Sequence, residues 1–247
     1  MTPPRLSRSS ARADKGADKS AAGGADGIGR GGALQAEVDL LGALAYGELT
    51  GFLRLSAHAD KAPTLEQTAE VGALAVEEFR HYTLLVERLR ELGADPQAAM
   101  RPFVAAVDAY HERTTPNDWL EGLLKAYVGE GIATDFYREV AAFAPAPTRE
   151  LVEKLLDETT GAEFVVGAVR EATDRDPRVA GRLALWGRRL VGEALSQAQR
   201  VAADRDSLTV LLVEGGGAGT DLVAIGKMFN RLTENHVRRM LRLGLTA

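Results

Sequence analysis

The sequence predicts an all-α fold, a four-helix bundle with one long crossover followed by two extra C-terminal helices. Three observations carry that reading. Ala, Leu, Glu and Arg recur throughout while aromatics make up only 6% of residues, a balance that favours helix over sheet. From about residue 33 onward apolar side chains return at three- and four-residue spacings, the mark of amphipathic helices. Between these stretches stand caps, glycines and prolines that start and stop helices.

Each element follows from its boundaries. Helix 1 runs from about Ala33 to Ala57 and ends before the turn at Asp60–Pro63. Helix 2 opens at Thr64, where Thr64 and Gln67 form a capping box, and ends at Gly93 ahead of Pro96. A longer connection holds Pro102 and a short apolar stretch, Phe103–Tyr110. Helix 3 starts at Thr115-Pro116 with Asp118 in its first turn and runs to about Phe143, where Ala-Pro-Ala-Pro stops it. Helix 4 spans Thr148 to Thr173, and Asp176-Pro177 opens helix 5, which continues to about Ala203. A last helix covers Asp221 to near Leu243, after the connector Gly215–Gly219. Leu208–Val213 is the single candidate strand, and it reads equally as helix.

Composition excludes several chemistries. The 247 residues include no cysteine, which removes disulfides, thiolate zinc sites, iron–sulfur clusters and cysteine nucleophiles. With four histidines (58, 81, 111 and 236), any metal site rests largely on carboxylates. A formal charge of −5 makes no general case for nucleic-acid binding. No apolar run approaches a membrane span, and the expected location is the cytoplasm. Residues 1–32 are read as a disordered tail and 33–247 as the helical domain. The tail has almost no large apolar side chains, so it cannot bury enough surface to offset its ordering entropy. Its six basic residues face three acids, leaving two readings, a solvated tail or a contact arm for an acidic partner.

The chemistry lies in the helix seams. At heptad spacing helix 2 reads Val71, Leu74, Glu78, His81, Leu85, with two polar residues where apolar knobs belong. Helix 3 reads Leu120, Leu123, Tyr127, Glu130, Thr134, Tyr137, and helix 4 reads Leu151, Leu155, Glu158, Ala162, Val165. Helix 1 repeats the pattern with Leu41, Leu44, Glu48, Phe52, Leu55. Glu48 and Glu78 are 30 residues apart and Glu130 and Glu158 are 28 apart, so antiparallel hairpins bring both pairs to similar heights. Four carboxylates gathered in an apolar core repel one another and are poorly solvated. Two bridging divalent cations remove the conflict, and oxygen-rich ligation suits iron or manganese better than zinc.

Two helices, a long crossover and two more helices is also the connectivity of ferritin-like bundles. The seam pattern resembles that of the ferritin-like di-iron proteins, which carry Glu, Glu-x-x-His, Glu, Glu-x-x-His on successive helices. The stretches LLGALAYGELTGFLRL, EEFRHYTLL, DWLEGLLKAYVGEGIATDFYRE and GRLALWGRRLVGEALSQAQ are similar to an actinobacterial family grouped with the tRNA hydroxylase that acts on 2-methylthio-isopentenyl-adenosine. The resemblance covers about residues 35–245. It implies two iron ions per chain, with manganese an option at one position, held by Glu48, Glu78, His81, Glu130 and Glu158. Within that set it implies bridging by Glu78 and Glu130. It further implies hydroxylase or monooxygenase activity using dioxygen and an electron donor, with a modified tRNA adenosine as substrate.

One position departs from the pattern. Where the second motif places histidine, this chain has Gly161, and neither Thr159, Thr160 nor Ala162 replaces it. Water, or Glu163 after a local distortion, is left to fill the gap. Two alternatives therefore stand beside the hydroxylase: a ferroxidase-like iron-binding protein, and a degenerate helical module kept for protein contacts. Tyr127, one turn before Glu130, is a candidate to hydrogen-bond a ligand carboxylate or bound oxygen, or else a core tyrosine. His58 reads as a helix-end residue, and His111 and His236 as surface residues. Arg182, Arg188, Arg189 and Arg200, with the basic cluster of the last helix, read as a mixed solvated face or a phosphate-facing one. An oligomer is compatible with all of this.

Overall fold

The structure, a computed structural model, describes residues 22–157, 161–205 and 222–247. All regular structure among them is helical: α1 Ala22–Ala59, α2 Leu65–Glu91, α3 Pro96–Met100, α4 Val104–Arg113, α5 Trp119–Ala141, α6 Ala146–Asp157, α7 Ala162–Arg175, α8 Pro177–Asp204 and α9 Leu222–Arg242. A 3-10 turn, Arg101–Phe103, joins α3 to α4. The tail before residue 22, the candidate strand Leu208–Val213, the connector Gly215–Gly219 and Glu158 lie outside the described residues.

Local signals explain most boundaries. Thr64 caps α2 by accepting from the Gln67 amide, as the capping box predicts. Asp176 caps α8 with Pro177 at its first position. Asp118 is the N-cap of α5, accepting from the Glu121 amide, so that helix begins later than its predicted start at Pro116. The crossover is more ordered than expected, because Asp95 caps α3 through the Gln97 and Ala98 amides. At the other extreme α1 extends back past the predicted Ala33 to Ala22. Nothing packs around Gly31 or Gly32. Extending a helix already nucleated by the packed segment beyond them costs little.

The predicted helix 4 is two helices. Gly161 stands at φ +87°, in the left-handed region that favours glycine, and α7 restarts from it. A single heptad line drawn through Leu155, Glu158 and Ala162 therefore runs across a break.

Two apolar clusters fill the bundle. One gathers Leu40, Leu41, Leu44, Leu85, Leu89, Phe103, Val140, Val152 and Leu155. The other gathers Val71, Leu123, Leu124, Val128, Val165, Val169, Leu183, Trp186, Leu190, Met240 and Leu243. α1 passes from the first cluster to the vicinity of the second on either side of Glu48, and α2 does so on either side of Glu78 and His81. The polar seam residues thus occupy the layer between the two cores. No helix among the described residues is long and apolar enough to cross a membrane.

Candidate metal centre and adjoining cavity

Glu48 on α1, Glu78 and His81 on α2 and Glu130 on α5 all line one cavity of 490 Å³. His81 Nδ1 lies 3.4 Å from Glu48 Oε2, and both side chains are largely buried. The Glu48 and Glu78 carboxyls hydrogen-bond each other, which requires a proton on one of them. Burial pushes Glu48 up to about 7, with the hydrogen bond from Glu78 opposing and the Glu130 charge adding to the rise. Glu78 is raised well above the usual carboxylate range, first by burial and then by the Glu48 charge, with His81 opposing.

Backbone detail leaves room for this cluster. A Cβ on Gly51 would strike the Glu78 carboxylate, so the α1–α2 contact accepts that side chain only opposite glycine. A Cβ on Gly47 would stand 3.3 Å from the Tyr137 hydroxyl. Tyr137 borders the cavity, and burial together with the Glu48 and Glu78 charges raises its phenol, which stays protonated.

The expectations for this site fare unequally. Among the described residues no group of three or more His, Asp or Glu side chains is arranged to hold a metal ion, although the predicted Glu48, Glu78, His81 and Glu130 share the cavity wall. Tyr127 packs with the second apolar cluster and is not among the cavity-lining residues. The tyrosine beside the carboxylates is Tyr137, which stands in the helix 3 seam two turns from Glu130, too far along it for sequence spacing to single out. Glu163, the alternative donor in place of the absent histidine, is exposed and pairs with Arg242. Leu74 occupies the space in front of Gly161, where a Cβ would overlap its side chain.

The other histidines are also more deeply placed than predicted. His58 does end α1, but it is buried, stacked on Trp119 at 5.1 Å and paired through Nε2 with the Trp119 carbonyl at 3.0 Å. His111 faces the cavity rather than the surface, with Nε2 3.2 Å from Thr50 Oγ1. His236 is 2% exposed, because the amphipathic α9 turns that residue inward with Leu232 and Met240. Of the C-terminal arginines, Arg182 pairs with Asp118 and Glu121, Arg231 with Glu139 and Arg239 with Asp135. Those pairings make the mixed-face reading fit better than a phosphate-facing surface.

With this geometry in place, comparison with known proteins is informative on family alone. A family model described as a ferritin-like domain of actinomycetes matches residues 34–215. No curated protein matches the chain.

Proposed function

The chain belongs to the ferritin-like domain family of actinomycetes, and on that premise we propose that it is a di-iron protein that uses dioxygen to hydroxylate an organic substrate. The observation that carries this reading is the cavity, whose 490 Å³ falls within the ~300–1,000 Å³ of sites that take small organic molecules. It runs directly past the buried carboxylates. An iron store or ferroxidase has no need of so large an apolar-walled space beside its ligands.

The donor set fits a metal pair in its chemistry. Three carboxylates and one imidazole between two apolar cores suit iron or manganese. The proton held between Glu48 and Glu78 marks negative charge that burial has left uncompensated. Glu48, His81, Glu78 and Glu130 would hold the ions, with Glu158 the fifth ligand implied by the family pattern. Iron bound there supplies dioxygen activation, with two electrons from an external donor. The balance is one C–H bond, dioxygen, two electrons and two protons giving C–OH and water. Glu48 and Glu78 would give up their shared proton in holding the ions. The Tyr137 phenol stays protonated and offers a hydrogen-bond donor at the cavity edge. Leu74, Leu155 and Leu156 give the same cavity part of its apolar wall.

Gly161 favours a second reading, iron binding without oxygenase activity, since one expected imidazole is absent. Anaerobic reconstitution with ferrous iron tests both, using the wild type, Glu78→Ala and Glu130→Ala. Two irons per chain, lost in both variants, supports the centre. Substrate-dependent oxygen uptake then separates hydroxylase from ferroxidase, with tRNA as one substrate tried. No iron above background would leave a helical interaction protein.

A further inference from the structure

Beyond the carboxylates the cavity changes character. Along α1 it is lined by Ala43, Gly47, Gly51 and Ala57, and along α5 by Gly122, Ala126, Gly129 and Ala133. The glycines admit their neighbours, since a Cβ on Gly47, Gly51, Gly122 or Gly129 would crowd Tyr137, Glu78, His58 or Tyr110, and the cavity is bounded by those side chains as well as by the alanines. One end, marked by the exposed Arg54, Ala57 and Lys61, opens to the surface. Arg54 lies six residues from Glu48, about 9 Å further along the α1 axis.

That end is cationic. The Lys125 ammonium, half-buried in the α5 wall, donates to the Thr114 carbonyl at 2.8 Å and the His111 carbonyl at 3.5 Å. It also sits 5.4 Å from the centre of the Tyr110 ring. Neither Lys125 nor Arg54 has an ion-pair partner among the described residues. Asp108, on the same helix as His111, is taken by the Tyr46 hydroxyl at 2.8 Å. Burial and the Arg54 charge push Lys125 down to about 8, so the two cations repel each other across this end of the cavity.

Unsatisfied hydrogen-bonding groups point into the same space. Thr50 donates its one proton to the carbonyls of Tyr46 and Gly47, so its oxygen accepts from His111 Nε2–H at 3.2 Å. His111 Nδ1 is then a buried acceptor with no partner among the described residues. On the α8 wall Gln197 is 6% exposed, and neither its amide nitrogen nor its amide oxygen has a partner there. Buried polar groups are rarely left so, and water inside the cavity is a partner that both residues can take.

We propose that this cavity binds an extended aliphatic molecule ended by a single anionic group. The head lies between Arg54 and Lys125, and the chain follows the glycine- and alanine-lined walls past Glu48 and Glu78. An anion there neutralises two facing cations, and the chain fills a space that the protein's own side chains do not. The binding site rests on the cavity walls and needs no metal, so it stands or falls separately from the hydroxylase reading.

The test is calorimetric titration of the metal-free full chain with dodecanoate, dodecyl phosphate and dodecanol. Dodecanoate or dodecyl phosphate is expected to bind at least about tenfold more tightly than the alcohol, the scale of a charge-assisted contact. The tighter of the two identifies the head as carboxylate or phosphate. Arg54→Gln, at an exposed position, and Lys125→Met are each expected to weaken the anions about tenfold and leave dodecanol unchanged. Ala126→Leu, which fills the groove, weakens all three. Equal binding of alcohol and anions, anion binding indifferent to Arg54→Gln, or no binding at all overturns the proposal.

Discussion

Replacing Glu48 by glutamine removes an acid that the fold holds out of its ordinary ionisation range. Its carboxyl rises from 4.5 to about 7, so the metal-free folded chain binds a proton there that the unfolded chain releases. A raised acid contributes its full stability below pH 4.5 and loses it as pH climbs through 7. Each pH unit between the unfolded and folded values is worth about 1.36 kcal/mol, so the accumulated loss is roughly 3 kcal/mol at pH 8 and under about 1 kcal/mol at pH 5. Glutamine keeps the shape and the hydrogen bond to Glu78 without the charge. It also removes the Glu48 repulsion from Glu78, which acts in the same direction. Metal-free Glu48→Gln is therefore expected to gain about 2–3 kcal/mol over the wild type on going from pH 5 to pH 8. Urea denaturation of both proteins at the two pH values reads this difference directly. A stability difference that does not change with pH would mean that Glu48 is ordinarily solvated, and the argument for a charge-starved cluster would fail.

Three further outcomes follow from other parts of the fold. Gly161→His restores the family's missing imidazole in sequence, but its left-handed backbone and the Leu74 side chain oppose it. The variant should lose about 1–3 kcal/mol in urea melts and gain no iron on reconstitution; added iron would refute the steric account. Arg88 joins buried Glu37 at 3.2 Å and also donates to Thr148, so Arg88→Ala should cost about 3 kcal/mol by leaving the Glu37 carboxylate uncompensated. Glu37→Gln in the same background should recover part of that loss. His236 is pushed down to about 4 by burial and then by Arg239. A lowered histidine costs stability as pH falls below its unfolded value near 6.5, so His236→Leu should be about 2 kcal/mol more favourable at pH 5 than at pH 8. An equal effect at both pH values would place the imidazole in contact with solvent.

The seam carboxylates were legible in the sequence because a glutamate at a heptad knob breaks a pattern of period 3.5, and such a break is visible without coordinates. The same logic identified Thr64 and Asp176 as caps and assigned the all-helical class, since these signals act over three or four residues. It failed where the outcome depends on what a side chain meets across the bundle. His111 and His236 looked like surface residues because neither shows which neighbours will cover it. Tyr127 and Tyr137 share a seam, yet only Tyr137 reaches the carboxylates, since only it lies level with Gly47 of α1. The break at Gly161 was invisible to a periodicity that reads straight through one glycine, whereas the fold uses that glycine's positive φ and sets Leu74 against it. The cavity is the clearest case. Glycine and alanine at helical spacing predict either close contact or open space, and the side chains that come to face them, Glu78 against Gly51 and Tyr137 against Gly47 among them, decide which. Local sequence thus determined the helices and the acids they carry, through interactions within a turn or two of chain. Tertiary packing decided what those acids face, because contacts between helices depend on residues far apart in sequence.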